Sequence, residues 1–268
     1  MKEKVSSFFQ KSYIGIIFVI LYLPVVVMTV LSFNSSRSSF NFESFTFDNY
    51  IALFQSEEIM NAVVNTIFIA LGAATISTVL GTVACIGISA MNKRIKGLYV
   101  GITNIPMLNA DIVTGVAFML LFIRFFGGLS SMTVLIAHIT LTLPYVILNV
   151  LPKMHIYNNT AYEAALDLGA SHIRAFFSVV LPDLFPSILT SFLMAITISL
   201  DDFTLTYFTS SPEINTISTE IYTNRIRGIQ PEYYALSTLM FVCVLIVLVL
   251  ANRNKFKQAD GRRKRRSR

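Results

Sequence analysis

Charge is what this chain has least of. Charged residues make up 13% of its 268 positions, against about 25% in a typical soluble domain. Hydrophobic residues make up 54%, and the mean hydropathy is +0.65. A soluble surface needs charge to cover an apolar core, so an ordinary soluble domain is excluded. What charge there is lies unevenly. Of the 21 Lys and Arg residues, nine fall in the last 17 positions. Such a tail could suggest nucleic acid, but long apolar segments have no place in a soluble nucleic-acid-binding domain. Cysteine is scarce too. Cys85 and Cys243 both sit in apolar runs without metal or redox spacing, and read as small buried hydrophobes.

Catalytic signatures are also missing. There is no GxxxxGK[ST] loop and no Gly-Lys pair, no HExxH and no GxSxG elbow. His138, His155 and His172 have no ligand spacing with one another, and His138, inside an apolar run, reads as a packed or hydrogen-bonded core residue. No catalytic, cofactor-binding or metal-binding residue is expected. A transport role would therefore draw its energy from an ion gradient or from a partner.

What the chain does have is long apolar runs. A helix needs about 20 apolar residues to cross a bilayer. Six segments qualify: residues 13–33, 62–91, 98–125, 132–151, 184–208 and 234–251. The first has the basic start of a signal peptide, but its run is too long and no clean cleavage site follows, so it reads as a retained span. The expected architecture is an all-α integral membrane protein. Residues 1–12 form a stub, 13–251 the six-span domain, and 252–268 a basic tail.

Orientation follows from the positive-inside rule. Lys2, Lys4 and Lys11, then Lys93, Arg94 and Lys96, then Arg253, Lys255, Lys257 and the basic run 262–268 all fall on one side of a six-span chain. The other side holds residues 34–61, with one Arg and four acids, and residues 209–233, with Arg225 and Arg227. Both termini are expected in the cytoplasm. The basic tail then reads as a topology anchor attracted to anionic lipid, with no nucleic-acid partner. Ala73, Ser77 and Gly81 form a small-residue stripe that favours close helix packing in lipid. Pro24 and Pro144 fall inside spans, where a packed membrane helix tolerates them.

The connector at residues 158–182 is the most informative segment. Thr160 and Glu163 have the spacing of a capping box. Gly169 suits a left-handed helix stop. Ser171 can cap a second short helix with Ile173, Phe176, Phe177 and Val180 on its apolar face, and Pro182 suits the first turn of span five. On spacing alone this helix–turn–helix could equally be a plain connector under the spans.

Glu163-Ala164-Ala165, then Gly169, Val179 and Leu181-Pro182, resembles the "EAA" loop of permease subunits in binding-protein-dependent ABC importers. The one departure is Val179, where the family often has Ile. The six-span layout fits that resemblance over most of the chain. It implies a type I importer permease fold, with no catalysis of its own and residues 158–182 docking on a separate ATPase. The implied partners are a second homologous permease, two copies of the ATPase, which uses the ATP, and an extracellular solute-binding protein. The implied location is the plasma membrane, in contact with its lipid. Pro106-Met-Leu-Asn-Ala-Asp111, Ser199-Leu-Asp201-Asp202-Phe-Thr, and the stretch from Ser211 to Ile221-Tyr222 are similar to permease subunits of spermidine/putrescine importers. Related permeases for other solutes share some of these residues.

An ionisable group inside a span defaults to a functional hypothesis. Asp111 would lie about 20 Å along a continuous third span, and Asp201 and Asp202 about 25 Å along the fifth, toward its outer end. Adjacent helical residues point about 100° apart, so this pair cannot face one pathway equally. A polyamine is a flexible polycation. Carboxylates replace its hydration and aromatic faces add cation–π attraction. Asp111, Asp201, Asp202 and Tyr207 are therefore candidate pathway residues, with Tyr222, Tyr233 and Tyr234 as further aromatic faces. The competing reading has the acids capping helices, snorkelling or pairing with a partner, and the tyrosines in an interfacial belt. Glu43, Asp48, Glu57 and Glu58 favour cation approach or simply solvate a loop. Rival functions are a permease for a metal chelate, thiamine or an anion, an ion-coupled secondary transporter, and a non-transporting scaffold.

Overall fold

The computed structural model describes residues 2–36, 41–156, 160–225 and 230–246. The basic tail at 252–268, the last residues of the sixth expected span, Arg227 and the first two residues of the connector lie outside them. The described chain is almost wholly helical. In order come α1 (Lys2–Leu31), α2 (Asp48–Gln55), α3 (Glu57–Ser89), α4 (Lys93–Thr103), α5 (Ile105–Leu108), α6 (Asp111–Phe126) and α7 (Ser131–Ile156). Then follow α8 (Thr160–Asp167), α9 (His172–Ala175), a π-helical turn (Phe176–Val180), α10 (Leu181–Asp201), α11 (Thr204–Thr209), α12 (Ile217–Arg225) and α13 (Pro231–Ile246).

Among the described residues, four helical stretches are long and apolar enough to span a membrane: Tyr13–Leu31, Glu57–Ser89, Ser131–Met154 and His172–Asp201. The third expected span is not one helix. It breaks at Asn104 and again at Asn109–Ala110, where the backbone turns extended, with Pro106 opening the short α5 between the breaks. Asn offers the backbone side-chain hydrogen bonds that compete with helix, and Pro donates none. The rise of a continuous helix therefore does not locate Asp111, which is the first residue of α6. The fifth span also differs. It starts earlier, because α9, the π turn and α10 run together from His172, and it stops at Asp201 rather than continuing to residue 208.

The chain forms two compact units, residues 61–222 and residues 1–60 with 223–268. In the first, the small stripe of α3 packs on α7. Ala73 and Ser77 are fully buried. A Cβ on Gly81 would come within 2.7 Å of Val146 Cγ1, and one on Gly72 within 3.2 Å of Leu135. Cys85 Sγ, buried as expected, lies 3.7 Å from the Ile147 carbonyl, whereas Cys243, also expected to be buried, is exposed. These pairings rise together along both helices, so α3 and α7 run parallel. Two parallel spanning helices would need a link that recrosses the bilayer, and α4–α6 is the segment that joins them in the chain. By contrast α7 and α10 are antiparallel, paired at His138–Ser199 near one end and Lys153–Asp183 near the other. Val146, Val150 and Ala195 are fully buried among Leu143, Ile188 and Phe192. A second cluster sets Phe122 of α6 and Ala137 of α7 around Leu205 of α11.

The other unit is organised around Asn34. Its Oδ1 accepts from the Ser36 and Glu43 amides, and its Nδ2 donates to the Asn41 carbonyl. Asn49 donates to the Ser32 and Asn34 carbonyls. Phe33, Phe45, Phe47 and Tyr50 stack around this turn with centroids 5.0–6.3 Å apart. Three of the four acids expected near it have a local role. Asp48 opens α2, and Glu57 and Glu58 open α3, where a helix dipole favours negative charge.

Candidate functional site

Two regions of the 61–222 unit carry the candidate residues, and they lie at opposite ends of α7. The first is the connector. α8 begins at Thr160, the residue expected to cap it, and stops at Gly169, whose φ is +84°. The stop is a Schellman motif. The Gly169 amide donates to the Leu166 carbonyl at 2.8 Å and the Ala170 amide to the Ala165 carbonyl at 3.0 Å. Ser171 Oγ accepts from the Arg174 amide, as a cap should. What it caps is the long helical run into span five, not a separate short helix. Only Val180 of the four residues expected on an apolar face is buried, and Ile173 and Phe177 are exposed. Tyr162 Oη lies 3.0 Å from His172 Nδ1 and ties α8 to α9.

Glu163, Ala164, Leu168 and Gly169 are exposed, Ala165 is half-buried, and α8 buries no residue. Leu168 is 89% exposed, so the apolar tip of this loop has no cover among the described residues. Leu181 and Pro182 open α10 directly after the π turn, and the Leu181 amide bonds back to the Phe176 carbonyl, five residues earlier. Beneath the loop is a cleft of about 360 Å³ bounded by Ile86, Ser89, Met154, Tyr162, Phe176 and Leu184. The end of α3, and with it the exposed Lys93 and Arg94 that follow, therefore lies at the same end of the unit as the connector.

The second region is the corner between α10 and α11. Asp202 leaves the helix with φ −70° and ψ 125°, and the chain restarts at Thr204. Its carboxylate caps α11, accepting from the Leu205 amide at 3.3 Å and the Thr206 amide at 2.9 Å. Thr206 Oγ1 donates to Asp202 Oδ2 at 3.1 Å. With that proton committed, Thr206 Oγ1 is an acceptor for His138 Nε2 at 2.9 Å, and Ser199 Oγ donates to His138 Nδ1 at 2.7 Å. The chain of donors runs Ser199 to His138 to Thr206 to Asp202, through a neutral imidazole protonated on Nε2. Ser199, His138 and Thr206 are all buried. His138 Nε2 is also 3.5 Å from Asp202 Oδ2.

Asp201, one residue earlier, is exposed. The two neighbouring carboxylates thus diverge, one outward and one into the core. Beyond the corner, Phe203, Tyr207 and Tyr222 form an aromatic cluster with centroids 4.4–5.9 Å apart, and Tyr207 and Tyr222 are about half exposed. Tyr233 and Tyr234 belong to the other unit and are buried, so they offer no open face. Asp111 is exposed at the first turn of α6. The structure groups Asp201, Asp202 and Tyr207 at one corner, whereas Asp111 opens α6. Sequence reasoning missed the role of Ser199 and Thr206 as partners of His138. Their spacing on either side of Asp202 carries no signal until the helix is known to break there.

Residues 77–254, about two thirds of the chain, match the family of binding-protein-dependent transport system inner membrane components. The spermidine/putrescine transport system permease protein PotC of Haemophilus influenzae is 30% identical over 244 residues, covering 91% of this chain and 95% of that protein. The putrescine transport system permease protein PotI of Escherichia coli K12 is 30% identical over 261 residues, covering 93% of each. Among solved structures, a bacterial ABC transporter that imports the acidic polysaccharide alginate superposes with a TM-score of 0.72 at 17% identity, over 94% of this chain and 95% of that one. The chain belongs to the family of binding-protein-dependent transport system inner membrane components and has the fold of ABC importer permeases.

Proposed function

We propose that this chain is the membrane-spanning permease subunit of an ATP-driven importer of polyamines, coupled to its ATPase through the loop at 160–182. The coupling half rests on one observation: a helix–turn–helix closed by a Schellman stop, whose outward residues Glu163, Ala164, Asp167, Leu168 and Gly169 are exposed among the described residues. The polyamine half rests on the relatives transporting spermidine and putrescine, together with an exposed carboxylate beside an open aromatic cluster. ATP is bound and hydrolysed by the partner. The assembly has a second homologous permease, two ATPase copies and an extracellular solute-binding protein. The chain crosses the plasma membrane six times, with the basic loop and the connector inside.

The test is uptake of labelled spermidine by the reconstituted complex. ATP-dependent, saturable uptake is expected. Uptake of a different solute with none of spermidine or putrescine overturns the polyamine assignment. Glu163→Lys is expected to abolish uptake and ATPase co-purification while leaving membrane insertion intact. Normal uptake in that variant overturns the docking role.

A further inference from the structure

The proposed function uses the exposed side of the α10–α11 corner and leaves its buried side unexplained. A polar chain of four side chains in the core of a membrane unit is costly unless each member is satisfied. Here each one is. Ser199, His138, Thr206 and Asp202 hand hydrogen bonds along a single direction, and the last carboxylate also caps α11. The space between them is too small for a water. Other ties fasten the same corner. Thr133 Oγ1 donates to the Thr209 carbonyl at 2.8 Å, one turn beyond Thr206. The segment after α11 is held to α3, where Thr66 Oγ1 accepts from the Ile217 amide at 2.9 Å and Asn65 donates to the Asn215 carbonyl at 3.1 Å.

The exposed groups hang on this frame. Asp201 is adjacent to Asp202, Phe203 follows it, and Tyr207 follows Thr206. Among the described residues none of their three side chains has a hydrogen bond; the Asp202 cap, the Thr206 bond and the 2.9 Å bond from the Tyr207 amide to the Phe203 carbonyl set where the backbone points them. We propose that His138 is a positioning residue for transport: through Thr206 and Asp202 it fixes the α10–α11 corner so that Asp201 and the Phe203–Tyr207–Tyr222 cluster face the solute together. His138 itself, 1% exposed, touches no solute. This inference rests on the polyamine reading and adds a residue to it.

The two imidazole nitrogens have separable duties. Nε2 serves Thr206 and Asp202, and Nδ1 serves Ser199. A glutamine amide nitrogen reaches about as far as Nε2, whereas an asparagine amide reaches only as far as Nδ1. In the reconstituted complex, His138→Gln is expected to keep KM for labelled spermidine near wild type. His138→Asn is expected to raise KM about tenfold, the signature of lost solute binding, with Vmax and basal ATP hydrolysis nearly unchanged. Thr206→Val breaks the same link at constant volume and is expected to behave like His138→Asn, while Thr206→Ser behaves like wild type. Equal KM in all four variants overturns the proposal, as does a common fall in Vmax with parallel loss of assembled complex, because both results mean a packing role only. A wild-type complex that takes up no polyamine would instead sink the functional reading beneath it.

Discussion

Gly169 shows how one residue shapes the proposed coupling surface. Its φ of +84° is left-handed, and no atom lies within 4 Å of where a Cβ would sit. A substitution there meets no steric block, so its whole effect is backbone strain. For most L-residues this conformation costs about 1–2 kcal/mol, and Asn is tolerated better. Gly169→Asn is therefore expected to transport nearly as wild type, and Gly169→Val to lose about tenfold in uptake as the loop leaves its docking shape. Uptake assays at matched membrane levels of the two variants check this, and equal activity would remove Gly169 from the coupling surface. This glycine was legible in the sequence, because helix stops at glycine follow local rules. The partners of His138 were not. They come from two helices, and one of those helices had to break before Asp202 could turn inward.

Helix continuity is where sequence and structure part most. Apolar run length dominates a span count, and it masks Asn104, Pro106 and Asn109 inside a run that otherwise reads as one helix. Such breaks are also expected of secondary transporters, but family membership places them here in an importer permease. The π turn at Phe176–Val180 leaves no compositional trace at all, since any apolar helix can hold one. It joins the connector to span five without a cap or a loop, so motion of the connector is transmitted as motion of a continuous helical rod. Such turns contain one residue more than the α-helix needs and recur at functional sites. The turn absorbs its extra residue within itself, whereas deleting Phe185, exposed in the regular α-helix just beyond it, should rotate the connector by about 100° against the rest of α10. The expected result is an inserted, stable complex with uptake lost. Inserting one alanine after Val180 in the same variant should restore much of it. Uptake measured with and without the compensating insertion checks this, and undiminished transport by the deletion variant would show that connector register is immaterial.

At the scale of the molecule, the parallel packing of α3 and α7 decides how the chain threads the bilayer. Both point the same way, which is what a single crossing by the broken segment α4–α6 between them would require. α10 then returns antiparallel to α7. The proposed four crossings of the 61–222 unit are supported by these contacts as well as by hydropathy. They set Lys93 and the connector at one end and the Asp202 corner at the other. The positive-inside rule was applied to different residues from those contacts, yet it puts the same two loops together on the cytoplasmic side. Single cysteines in a Cys85→Ala, Cys243→Ala background test the arrangement with a membrane-impermeant maleimide on intact cells. Lys93→Cys and Asp167→Cys, both exposed, are expected to label only after the membrane is opened, and Glu213→Cys, exposed beyond the corner, to label from outside. Labelling of Asp167→Cys from outside would place the connector away from ATP, where no coupling to an intracellular ATPase is possible. Labelling of Lys93→Cys and Asp167→Cys from opposite sides would contradict the parallel pairing of α3 with α7.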